Sequence, residues 1–512
     1  MISRLAVDEF LNQKLDDWSW VKDVKEADLQ SELKELLPEG FKFKTKSFNH
    51  QLVSLIVGIY NPRFLWFLDM GLGKSKVSLD LLQYYKLKGV INKTLVMVPS
   101  PVSIESFREQ IELHSNFTHA ALYGTYNERW DTLRNTNVDI YVMNYAGLMV
   151  MLMERKSKMP SMSRVVEFSN MFDAMIMDEI HMAKSINTLT YRLSLMISKK
   201  FKVMYGLTGT PFGRDPMDLW AQFNLVDGGE TLGKTISLYR EAFFSTMINR
   251  WGGMEYTFIK RKEALLQKRL KNKSLRYSDN EVKELPKKVT QIIHIDLPTG
   301  NKGYYKSLVD GLIAVKGDYI EIEGVFVRLR QICSGFLQHK LDDEKVTIDF
   351  KHNPKLEAMV DLLQGTPTDS KVIIFHEFIH SGNIIAKELD KLKIKYTRLY
   401  GGTKDKIGAK NEFIKNKNIK VFLVNSKSGG TSLNLQIANY AIYYESPVSP
   451  IVRKQSEKRI WRTGQIKRTY IYDLVVRHSV EEKILSFIAE GKNLFKSLLE
   501  KENAIKMLSY DK

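Results

Sequence analysis

Cysteine is nearly missing from these 512 residues: Cys333 stands alone. A single thiol cannot form an internal disulfide, and cysteine-based zinc clusters are excluded with it. The ten histidines are scattered, without the short spacings that metal sites use. No apolar run approaches the roughly 18 residues of a membrane span. The longest stretch, around 145–153, is far too short. The N-terminal MISRLAVDEF has no signal-peptide apolar core and meets acid at once. Low-complexity tracts and short-period repeats are missing too. Together these absences predict a protein of a reducing cytoplasm, with no membrane partner.

What is present in excess is positive charge. The formal net charge is +18, yet residues 1–40 hold ten acids against five bases. That segment carries −5, which leaves +23 on the rest. A basic body points to a polyanionic partner, most often nucleic acid. The acidic leader, 1–42, reads as a helical segment. It is expected to dock a protein partner, or to act as a lid that mimics DNA and shields the basic body.

From residue 43 to 257, short apolar runs alternate with amphipathic stretches. LVMV (95–98), IYVM (140–143), AMIM (174–177) and VMYGL (203–207) are continuous rather than alternating. Such runs suit strands buried on both faces of a parallel sheet, and hence an α/β domain. Residues 258–288 are basic and helical in spacing and read as a link between domains. A second α/β pattern follows over 289–490, with candidate strands VIIF (372–375), YTRLY (396–400), VFLV (421–424), YAIYY (440–444) and TYIYDLVV (469–476). Residues 491–512 are expected to form a C-terminal helix.

Four stretches carry chemistry. In FLWFLDMGLGKSKVSLDLL (64–82) an apolar strand breaks into Gly71-Leu72-Gly73-Lys74-Ser75 and resumes as a helix. Glycines let the backbone approach a ligand closely, and N–H groups at a helix start face an anion. Lys74 can reach the β- and γ-phosphates of a nucleotide, and Ser75 can take a Mg²⁺ position. The full phosphate-loop pattern places glycine at position 68, where this chain has Leu68. In FDAMIMDEIH, Asp178-Glu179 closes a strand; Asp178 would hold Mg²⁺ and Glu179 would deprotonate the attacking water. YGLTGTPF (205–212) offers hydroxyls after another strand. In QSEKRIWRTGQ (455–465), Arg459 and Arg462 lie three residues apart, so both guanidinium groups can project from one helix face as arginine fingers.

These stretches, in this order, resemble the Snf2-like DNA translocases of helicase superfamily 2. DMGLGKS looks like that family's motif I, which also lacks the outer glycine. MDEIHMAKS is similar to motif II, with Ile180 where alanine is usual, and LTGTP to motif III. RLRQICSGF (328–336), KVIIFHEF, SKSGGTSLNLQIANYAIYYESPVSP (426–450), QSEKRIWRTGQ and SVEEKIL (479–485) match later segments. The resemblance implies two tandem RecA-like phosphate-loop lobes with parallel sheets, helical extensions at both termini, and ATP with Mg²⁺ clamped between the lobes. It implies nucleotide contacts at Met70, Gly71, Leu72, Gly73, Lys74, Ser75 and Gly430, with Gln51 on the adenine. Nucleic-acid contacts would come from Pro99, Ser100, Asn144, Tyr145, Ser428 and Gly429. The basic run adds Lys268, Arg269 and Lys271 on electrostatic grounds.

The expected activity is a DNA-dependent ATPase that moves along duplex DNA, as a monomer. No segment typical of nucleosome remodellers is visible, so a compact motor of phage or bacterial type is expected. Two alternatives stand beside it: a helicase that separates DNA or RNA strands, and an ATP-binding switch that recruits partners without moving.

Overall fold

The computed structural model describes residues 3–154, 159–209, 215–248, 253–282, 286–314, 319–341, 344–426, 435–462 and 465–491. The chain divides into two compact units, residues 1–284 and 285–512.

The first unit is built on strands β1 (Arg63–Leu68), β2 (Thr94–Val98), β3 (His119–Ala121), β4 (Ile140–Asn144), β5 (Ala174–Asp178), β6 (Val203–Leu207) and, beyond a separate hairpin of β7 (Phe244–Ile248) and β8 (Met254–Phe258), β9 (Ser274–Tyr277). The sheet order is β3-β4-β2-β5-β6-β1-β9, and every pairing is parallel. The four runs LVMV, IYVM, AMIM and VMYGL each form one of its strands and are buried, whereas the longest apolar stretch, around 145–153, is the Tyr145–Leu152 helix. Consecutive residues of these strands are buried, so both faces of the sheet are covered, as a parallel sheet requires.

β9 is a correction. The basic run was expected to link two domains, but its Glu263–Leu270 helix and Ser274–Tyr277 strand belong to the first unit. β9 pairs with β1, setting Leu65 opposite Ser274 and Leu68 opposite Tyr277. Its apolar Leu275 and Tyr277 are buried, which holds it in place despite the surrounding charge.

The acidic leader is also integral to this unit. Its helix Arg4–Asn12 places Phe10 in the main core cluster. Val21, Leu29 and Leu33 are buried as well. Lys22 pairs with Glu281 at 2.7 Å, and Asp17 with Lys271 at 3.2 Å. A segment that buries four apolar side chains, each stabilising by about 1.5–3 kcal/mol, is part of the fold rather than a lid.

The second unit has strands β10 (Lys288–Ile295), β11 (Phe336–Leu341), β12 (Glu344–Asp349), β13 (Val372–His376), β14 (Tyr396–Leu399), β15 (Val421–Asn425), β16 (Tyr440–Tyr443) and β17 (Thr469–Val476). β11 and β12 form an antiparallel pair. The others make a parallel sheet ordered β10-β17-β16-β13-β15-β14. A buried ion pair, Lys355 to Glu481 at 2.5 Å, ties the Pro354–Gln364 helix to the Val480–Ala489 helix. The expected helix over 491–512 lies almost wholly outside the described residues.

Candidate nucleotide site

β5, β6 and β1 are neighbours and run parallel, so the loops leaving their C-terminal ends gather along one edge of the first sheet. Those loops are the glycine turn, the acidic pair and the threonine–glycine turn. Open α/β sheets bind ligands at this edge.

The glycine turn leaves β1 at Asp69. Gly71 and Gly73 hold φ of 85° and 82°, values that disfavour any side chain. A Cβ at Gly73 would also lie 2.2 Å from Nε2 of Gln51. Met70 and Ser75 are half-buried, and Leu72 is buried. Lys74 opens the Lys74–Leu87 helix and donates from Nζ to the Leu68 carbonyl at 3.0 Å. Its charge therefore lies within the loop, beside the positive end of the helix.

Asp178 ends β5, and Glu179 follows with φ 53° and ψ 53°. That is a left-handed conformation costing a non-glycine residue of order 1 kcal/mol. It directs the carboxylate to its partners: Thr208 Oγ1 donates to Glu179 Oε2 at 3.1 Å, and His181 Nδ1 lies 3.1 Å from the same oxygen. Burial, then the charge of Glu179, raises the Asp178 carboxyl to about 7, against the pull of Lys74. Burial would raise Glu179 too, but the His181 hydrogen bond, the charge of Lys74 and the Thr208 hydroxyl hold it below its ordinary range. Two adjacent acids are thus pushed apart, one towards the proton and one away from it.

Motif III closes on both. Thr208 holds Glu179, and Gly209 lies so near the glycine turn that a Cβ there would come within 3.1 Å of the Met70 nitrogen. Thr210 to Arg214 lie outside the described residues.

Gln51, expected on the adenine, is engaged by the protein itself. Its Oε1 accepts from Phe48 N at 3.1 Å and its Nε2 donates to the Leu72 carbonyl at 3.2 Å. The expected nucleic-acid residues fare differently from one another. Ser100 caps the Pro101–His114 helix at the end of β2, with Pro99 half-exposed beside it. Asn144 and Tyr145 are buried, and Tyr145 Oη donates to the Asp178 carbonyl oxygen at 2.9 Å. Tyr145 therefore props motif II instead of facing a ligand. Arg269 is only 3% exposed: it donates to the carbonyls of Thr231 and Phe10 and lies 4.0 Å over the Phe10 ring. Its charge is turned inward, which removes it from any binding surface. Lys271 is exposed but paired with Asp17, and Lys268 is exposed. Ser428, Gly429 and Gly430 lie outside the described residues.

In the second unit, the Pro450–Glu457 helix ends before the two arginines, so Arg459 and Arg462 sit in the turn after it and not on one helical face. The turn is fixed from behind. Arg453 grips Asp473 of β17 through both amino groups and Glu457 through Nε at 2.8 Å, while Lys288 of β10 adds a second cation to Glu457 at 2.8 Å. Glu445 is fully buried, accepting from Glu377 N and from Ser381 Oγ, which fixes the loop after β13. The sequence reading missed Tyr277 and Asp279, which brace the root of the glycine turn. Tyr277 accepts from Asp69 N at 2.9 Å, and Asp279 N donates to the Asp69 carboxylate at 3.3 Å.

The architecture defines a class: phosphate-loop proteins with two RecA-like α/β units in tandem. Residues 62–346 match the SNF2-related domain and residues 354–464 the helicase conserved C-terminal domain. The chain belongs to the SNF2-related family. It is 25% identical over 457 residues to an uncharacterized ATP-dependent helicase, MG018, of Mycoplasma genitalium, spanning 86% of this chain and 41% of that protein. It is 23% identical over 477 residues to the ATP-dependent helicase fft1 of Schizosaccharomyces pombe, spanning 81% of this chain and 48% of that one. The chain thus spans less than half the length of these relatives. A solved SWI2/SNF2 ATPase core of Sulfolobus solfataricus in complex with dsDNA is 21% identical, with a TM-score of 0.41, covering 93% of this chain and all of that one. Among the described residues no helix is long and apolar enough to cross a membrane.

Proposed function

We propose that this chain is an ATP-driven motor that moves along duplex DNA. The observation that carries the proposal is the convergence of Lys74, Asp178, Glu179 and Thr208 on one sheet edge, in a member of a family whose relatives bear the name ATP-dependent helicase. The chemistry is phosphoryl transfer from ATP to water, which needs charge neutralisation, a positioned water and a base. Backbone N–H groups of 71–75 and the Lys74 ammonium bind the phosphates. Glu179, kept ionised by His181 and Thr208, accepts the proton of the attacking water. Arg459 and Arg462 supply cationic charge to the developing transition state.

The donor set suits Mg²⁺. Among the described residues no three acidic, histidine or cysteine side chains form a ready-made metal site. Mg²⁺ in such enzymes is held by one or two protein oxygens together with phosphates and waters. Ser75 and Asp178 would hold it, and a divalent cation relieves the buried Asp178–Glu179 repulsion. When bound, it neutralises phosphate charge.

The test is ATP turnover with duplex DNA, single-stranded DNA or RNA, beside triplex displacement and fork unwinding. Duplex-stimulated turnover with triplex displacement, abolished in Lys74→Ala and Arg462→Ala, is expected. Turnover indifferent to nucleic acid would overturn the motor. Fork unwinding would make the chain a strand-separating helicase.

A further inference from the structure

The carbonyl of Leu72, at the centre of the glycine turn, accepts two hydrogen bonds. Gln51 Nε2 donates at 3.2 Å and His50 Nε2 at 2.8 Å. The His50 bond is the shorter, and His50 is buried. No cis peptide occurs among the described residues, so the Leu72 C=O and the Gly73 N–H share a trans plane and point in opposite directions. Anchoring the carbonyl on the protein side therefore aims the Gly73 N–H away from the protein. That direction matters because the peptide can turn only about ψ of Leu72 and φ of Gly73, and Gly73, at φ 82°, carries no side chain to resist the turn. A donor lost here frees a group whose orientation decides whether an anion meets an N–H or a carbonyl.

His50 is held in its turn. Its ring stacks on Phe48, centroids 6.1 Å apart, and meets the Tyr277 ring at 5.7 Å. Behind Tyr277 stands Lys22 of the leader, its Nζ 4.4 Å from the Tyr277 ring and 2.7 Å from Glu281. The line of contact runs from the leader, through β9, to the nucleotide loop, entirely within the first unit.

We propose that His50 is a positioning residue for the phosphate-binding loop, and that the leader, through Lys22 and Tyr277, tunes nucleotide affinity by keeping His50 in place. The proposal rests on the reading of this loop as the nucleotide site. His50→Phe keeps an aromatic ring between Phe48 and Tyr277, deletes the donor, and leaves Gln51 to satisfy the Leu72 carbonyl, so the variant folds. His50→Gln restores a donor at nearly the same reach. The probe is the Mg²⁺ complex of a ribose-labelled fluorescent ATP, titrated into the full chain, with melting curves and KM measured alongside.

The expected result is an affinity loss of about five- to tenfold in His50→Phe, the worth of one hydrogen bond. The melting midpoint is retained, the loss falls on KM more than on kcat, and His50→Gln recovers it. Lys22→Met should weaken binding about two- to fivefold, the worth of a partly exposed cation–ring contact. Unchanged affinity in His50→Phe overturns the proposal. So does a fall in melting midpoint that accounts for the loss and is not rescued by glutamine, since that is a structural role. Failure of the wild-type chain to bind, with Lys74→Ala no different, overturns the nucleotide reading itself.

Discussion

At the scale of single residues, two neighbouring carboxyls of the candidate site are driven apart. Asp178 is driven towards the proton by burial, whereas Glu179 is drawn from it by donors. Thr208 is one of those donors, so its removal has a signed consequence. Thr208→Val raises the Glu179 pKa and moves the acid limb of the kcat/KM profile for ATP to higher pH; an unmoved limb would mean that the hydroxyl does not tune the base. Glu179→Gln should lower turnover by at least about 100-fold while retaining nucleotide binding. The acids, the lysine and the glycines were legible because each sits beside a turn at the end of an apolar run. The partners were not: Tyr145 lies 33 residues from the acid whose carbonyl it braces, and Tyr277 about 200 residues from the loop root it holds.

At the scale of elements, the basic run shows why charge alone misplaces a segment. Lys268, Arg269 and Lys271 look alike in sequence, yet one is exposed, one is buried against Phe10 and one is paired with Asp17. Their variants should part accordingly. Lys268→Ala is expected to lower the slope of log K against log salt for duplex binding by about one unit if this face meets phosphate, and by nothing if it does not. Arg269→Glu instead unfolds the first unit, because a buried carboxylate would face the Thr231 and Phe10 carbonyls. Phe10→Ala should cost about 3 kcal/mol, read as a lowered urea midpoint with unchanged slope. The long apolar strands were readable from composition, but β9 is four residues inside a run of bases and exists because β1 offers it a partner. The same holds for the arginine turn. Three-residue spacing suggested a helix face, but the Pro450–Glu457 helix stops first, and the turn is set by the Arg453–Asp473 grip on a strand whose register no local pattern reveals.

At the scale of the whole molecule, pH acts through buried groups as well as through the net charge of +18. His376, on the buried strand β13, donates from Nδ1 to the Phe378 carbonyl at 2.9 Å, and burial holds its imidazole below the usual range against the opposing charge of Glu445. The folded pKa is the lower one, so the contribution to stability is full above the unfolded value of about 6.5 and is lost as pH falls from there through the lower folded value. Unfolding followed by a second-unit probe should therefore show a midpoint falling between pH 7.5 and 5.5 more steeply in the native chain than in His376→Gln; equal slopes would place the pH dependence elsewhere. Gly382 packs against the same ring, where a Cβ would come within 2.6 Å of His376 Cε1.

The first sheet is finished by its last strand, and that order of construction has a price during synthesis. After β6 ends at Leu207, roughly 70 residues must still be made before β9 exists, some 4–14 s at ordinary ribosome speeds. Throughout that interval β1, the strand that roots the glycine turn, is an open edge to which any passing extended chain could pair. The leader is made first but can grip Lys271, Asn272 and Glu281 only at the end. A nascent chain stalled before Tyr277 would therefore be a ready client for chaperones, and any cut of the gene upstream of that point would yield an insoluble fragment in place of a working half.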